Sequence, residues 1–154
     1  MKQIVVTGTA LILIILFSAC LHKPAASDDR QVLDSLTALV GQLRPGLGEY
    51  MMQIKYHHDE LGKAIARRDY ERAGYENDEI REQTDKIQQL HITNDKLKEP
   101  FVVFFQKYLQ APLSQIGEAA LRKDDRALQS NYTALTSNCN SCHQQNNMAF
   151  MKID

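Results

Sequence analysis

Cys139, Cys142 and His143 form the run Cys-Asn-Ser-Cys-His near the end of the chain. The spacing Cys-x-x-Cys-His is the attachment signature of a c-type haem. Two thiols add across the two vinyl groups of the porphyrin, and the adjacent histidine is the proximal iron ligand. On a helix, steps of three and four residues bring Cys139, Cys142 and His143 to one side, where a flat macrocycle can lie. Two other chemistries share the pattern. A redox dithiol usually opens a helix after a strand, and nothing in this sequence reads as strand. A zinc site needs a further ligand, for which only His22, His57, His58 and His91 remain.

The opposite end of the chain supplies context. A lysine at position 2 precedes an uncharged, apolar stretch from Ile4 to Phe17. That length suits a signal-peptide core and is short for a membrane span. It ends in Phe17-Ser18-Ala19-Cys20, which resembles a bacterial lipobox with Phe17 at an aliphatic position. The resemblance makes 1–19 a lipoprotein signal peptide and Cys20 the lipid-bearing first residue of the mature protein. Acyl chains on Cys20 would hold the protein on the periplasmic side of a bacterial membrane. Leu21 in place of aspartate favours the outer membrane. The alternative is an ordinary cleaved signal with Cys20 lost or free.

The three cysteines are then fully assigned, Cys20 to lipid and the pair to thioethers. Residues 20–30 read as a lipidated tether and 31–154 as one domain with one core. A net charge of −1 implies neither nucleic acid nor a strongly charged partner. No paired carboxylates or nucleophile motif argue for an enzyme.

The elements that must position the motif read as helices. The first runs near 30–66 with a break at Arg44-Pro45-Gly46, and its apolar line is Leu43, Leu47, Met51, Ile54, His58, Leu61 and Ile65. The second spans about Asp69 to Leu90, capped by Asp69, with a thin stripe of Ala73, Ile80, Ile87 and Leu90. Its many charges, Arg72 and Glu76 among them, read as a solvated face. The third covers about 96–122, with an apolar set from Leu97 through Phe101, Phe104, Phe105 and Tyr108 to Leu121, and Pro112 should kink it. Asp124-Asp125 caps the fourth, which carries Leu128, Tyr132, Leu135 and the two motif cysteines on one face. The expectation is an all-α chain, an antiparallel four-helix bundle with the haem motif on the last helix.

That layout, together with Cys139, Cys142 and His143, resembles the class II c-type cytochromes, the cytochrome c′ group. Those proteins often carry an aromatic and a basic residue three and four positions after the histidine, where this chain has Asn146 and Asn147. Met51 followed by His57-His58 is similar to a set of small exported monohaem proteins with the same helix layout. The resemblance implies one covalent haem c, iron held by His143, and a first helix on the distal side. Met51 there would complete a six-coordinate electron carrier, with His58 the alternative ligand. Without such a ligand the iron would be five-coordinate and open to NO or CO. Met51 also has the simpler reading of core filler, and His58 that of a satisfied buried histidine. Met148 and Met151 read as packing. The redox partner is unnamed by the sequence, a homodimer is left open, and a structural lipoprotein without haem is the competing class.

Overall fold

The computed structural model describes residues 26–154. The expected signal segment, Cys20 and most of the expected tether lie outside the described residues. Every regular element among the described residues is helical, so the chain is all-α. The elements are α1 (Ala26–Leu43), α2 (Leu47–Arg67), α3 (Tyr70–Gln89), α4 (Phe101–Phe104), a π-helical turn (Phe105–Leu109), α5 (Gln110–Arg122) and α6 (Asp125–Gln145). No helix among them is long and apolar enough to cross a membrane.

Two units divide at Arg44/Pro45. The break falls where Pro45 and Gly46 were expected to interrupt the first helix. Residues 26–30, read as tether, instead begin α1. That helix exposes Val32, Leu36, Leu39 and Leu43, the last of which was expected on the apolar line.

Within Pro45–Asp154, α2 packs along α3, α3 along α5, and α5 along α6. The starts are capped, two of them at the aspartates that the sequence indicates. The Glu49 carboxylate reaches back to accept from the Gly46 N–H at 2.8 Å, while Asp69 and Asp124 accept from Arg72 N and Ala127 N, each at 3.0 Å. The ends carry no such signal. Arg68, His91, Lys123 and Asn147 all adopt positive φ without being glycine. Each lets the next N–H bond back five residues, as Asp69 does to Ala64 and Asp124 to Ala119. Asp69 and Asp124 thus close one helix and cap the next, leaving almost no loop. The two turns adjoin, since Tyr70 donates to Asp125 at 2.9 Å.

The core is built from Ile54, Leu61, Ala73, Ile80, Ile87, Leu113, Ile116, Leu128 and Leu135. Two expectations fail here. Leu121 is 87 % exposed, because it lies about a quarter turn off the Leu113–Ile116–Ala120 face. Glu76 is fully buried, not solvated. Its carboxylate takes His57 Nδ1 at 2.6 Å and pairs with Arg72. Asn77 and Thr84 are buried beside it on the inner face of α3, and Asn77 lies against Gly117, where a Cβ would come within 3.3 Å of its amide. Removing one partner of a buried ion pair leaves the others uncompensated. Glu76→Ala is therefore expected to cost about 3 kcal/mol, the low end for such sites because Arg72 is half exposed. Urea unfolding of wild type and variant measures it.

Candidate functional site

Cys139 and Cys142 are half-buried on α6 and form no disulfide. Cys139 packs against the core. Burial pushes its thiol up to about 12, with Cys142 adding to the effect. Cys142 is also raised by burial, against the opposing pull of Asn146 and Lys107. Catalytic dithiols need the opposite environment, one that favours the thiolate.

Three helix-external contacts fix the motif. The first arises from Pro112. Its missing N–H leaves the Tyr108 carbonyl without its i+4 partner, and Asn138 on α6 donates to that oxygen at 2.8 Å. The π-helical turn at Phe105–Leu109 is where the third segment departs from α geometry, just ahead of the proline expected to kink it. The Tyr108 hydroxyl adds a bond to Gln145 Oε1 at 2.6 Å. The aromatic set splits: Phe101 and Phe104 are core, while Tyr108 serves α6.

The second contact is Asn146. Its amide donates to the Cys142 carbonyl at 2.9 Å, and its oxygen accepts from Lys98 N at 2.9 Å. Asn146 thus ties the segment before α4 to the helix carrying the thiols.

The third is the segment after α6. Asn147 ends α6 in the left-handed region, which asparagine tolerates. The chain doubles back, and His143 Nδ1 meets the Met151 carbonyl at 2.5 Å. A carbonyl only accepts, so Nδ1 carries the proton and donates, and Nε2 is left with a free lone pair. The Asn140 side chain bonds Ile153 twice, donating to its carbonyl and accepting from its N–H, both at 2.8 Å. Ile153 is buried.

The expected distal residues lie on α2. Met51 is partly buried and packs on the core, while Met52 is exposed, as their spacing predicts. His58 is buried, and its two nitrogens are both engaged. Thr136 donates its hydroxyl to the Tyr132 carbonyl at 3.0 Å, so it accepts from His58 Nε2–H at 2.8 Å. Nδ1 then accepts from the Tyr132 hydroxyl at 3.4 Å, and the two rings stack with centroids 4.7 Å apart. Gly62 permits this approach, since a Cβ there would fall 2.7 Å from Tyr132 Cζ. His57 turns to Glu76. Neither histidine is free to join the thiols.

Burial lowers the His58 pKa from 6.5, outweighing Asp59, which raises it. The unfolded chain therefore takes up this proton first as pH falls. The stability held by neutral His58 is complete above about pH 6.5 and is lost as pH drops through the lowered folded value. Melting temperature should fall between pH 7.5 and pH 5, and His58→Gln should flatten that slope.

No role for Asn138, Asn140 or the Met151 carbonyl was legible in the sequence, and Asn146 stood out only by its place three residues after His143. Asparagine between motif cysteines carries no periodic signal, and a backbone carbonyl has none. The donor set fits covalent haem: two unpaired thiols one turn apart, and a histidine whose tautomer leaves the outer nitrogen free. Among the described residues no group of three or more His, Cys, Asp or Glu side chains converges to hold an ion directly. The chain matches no family model, no curated protein and no solved structure in comparisons with all three.

Proposed function

We propose that this chain is an exported c-type cytochrome, anchored by lipid on Cys20 and carrying one haem c on Cys139 and Cys142, that transfers electrons. The observation that carries the reading is the hydrogen bond from His143 Nδ1 to the Met151 carbonyl. It orients an imidazole next to two unpaired thiols with Nε2 free, the state an axial ligand requires. Bound haem would supply an iron that cycles between two oxidation states.

The residues of the chain then have separate tasks. Cys139 and Cys142 would tether the ring, and burial, which raises both thiols, ill suits a reactive dithiol. His143 would hold the iron from α6. A second ligand would come from α2. The pairs Gly62–Tyr132 and His58–Thr136 run in opposite senses along α2 and α6. Residue numbers in each pair share one sum, and the same register sets Met51 level with His143. This supports an antiparallel cytochrome c′-like bundle with Met51 as sixth ligand, and it favours Met51 over His58, which already has two partners. A methionine thioether favours reduced iron and closes the site to gases.

The test is a visible spectrum with an intact mass. The protein, expressed with c-type maturation, should keep haem mass through acid extraction and show a low-spin ferrous spectrum. A high-spin ferrous form that binds CO rapidly would make it a gas-binding haem protein. Loss of haem mass on extraction would leave a lipoprotein without a haem function.

A further inference from the structure

The C-terminal segment after α6 makes more directed contacts with the motif than an unconstrained tail would. Asn140, one of the two spacer residues of Cys-x-x-Cys, pairs with the Ile153 backbone as a strand neighbour would, through both donor and acceptor at 2.8 Å. The Met151 carbonyl receives the His143 Nδ1 proton at 2.5 Å. The Phe150 and Met151 side chains are exposed while Ile153 is buried, so the segment is held through its backbone and through the Ile153 side chain. The Asn147 turn starts the reversal, with Met148 N–H bonding the His143 carbonyl at 2.8 Å.

We propose that residues 148–153 are a strap that sets the proximal histidine, with Asn140 as its positioning residue. The inference rests on the haem reading above. Asn140 holds Ile153, and Ile153 holds the Met151 carbonyl two residues earlier on Nδ1. The carbonyl keeps the ring in the Nδ1–H tautomer, fixes its plane and increases the electron density at Nε2. A more electron-rich imidazole stabilises the oxidised iron, so the strap lowers the reduction potential. The device places the control of a redox centre in the segment that follows the helix bearing the motif.

The test uses full-length holoprotein, Asn140→Ala, Asn140→Asp and a chain ending at Lys152, which keeps the Met151 amide carbonyl but loses Ile153. Intact mass reports the covalent haem, circular dichroism the fold. Proton NMR follows exchange of the His143 Nδ1 proton, and a redox titration gives the potential. With haem retained, Asn140→Ala and the shortened chain should both raise the potential and speed that exchange at least tenfold. Asn140→Asp keeps the acceptor for Ile153 N–H and should fall between them and wild type. Unchanged potential and exchange in folded, haem-bearing variants would overturn the strap while leaving the cytochrome reading intact. Wild type without covalent haem would overturn both, and the mass alone distinguishes the two failures.

Discussion

Cys139→Ala/Cys142→Ala protein is expected to retain its helical fold and to carry no covalent haem, a complete loss of acid-stable haem mass. The expectation separates chemistry from folding. Cys139 packs on the core, but replacing it by alanine removes a single buried atom, which costs about 1 kcal/mol. Cys142 is less buried, and its hydrogen bond with the Asn146 amide is long at 3.7 Å. Asn146 keeps its bonds to the Cys142 carbonyl and to Lys98 in the variant, because both involve backbone atoms. Circular dichroism should therefore match wild type while the visible absorption disappears. Cys142→Ala alone should leave at most one thioether and a sparse holoprotein. A redox dithiol would behave otherwise: wild type would show no haem, and alkylation would titrate two reactive thiols. The raised pKa of Cys139, about 12, makes fast alkylation at neutral pH unexpected in the folded apoprotein.

The helices were legible because their signals are local. Leu47, Met51, Ile54, His58, Leu61 and Ile65 recur in steps of three and four, and Asp69 and Asp124 stand where caps belong. Periodicity reports polarity, however, and not partnership. Glu76 looked solvated among charges, yet His57 and Arg72 satisfy it inside the protein. The same limit hid the helix ends, where Arg68, His91 and Lys123 take a conformation that glycine would have advertised. At the candidate site, the thiols and His143 were legible as a motif. What orients them was not, because Asn140 meets Ile153, and Asn138 meets Tyr108, only after the chain has folded. Pro112 came closest to giving notice. It marked a break in the helix, but not that the carbonyl it frees would be used by the helix bearing the thiols.

Met51→Ala should convert a low-spin, six-coordinate centre into a high-spin one that binds CO readily in the ferrous state and has a lower reduction potential. Three observations on α2 lead there. Met51 packs on the core while Met52 is exposed, so only the first can face a ring inside the unit. His58 is neutral and bonded at both nitrogens, and freeing Nε2 would break its bond to Thr136 and disturb the ring stacked on Tyr132. The register through His58–Thr136 and Gly62–Tyr132 runs on to pair Met51 with His143. The size of the effect follows from the ligand: a thioether binds ferrous iron well and ferric iron poorly, so its loss destabilises the reduced state. His58→Gln serves as the control, because it should leave the spin state unchanged while altering acid stability. Had His58 been the ligand, that substitution would produce the spin change and Met51→Ala would not. A wild-type protein already high-spin would reduce Met51 to core packing, and the open coordination position would then define a gas-binding site.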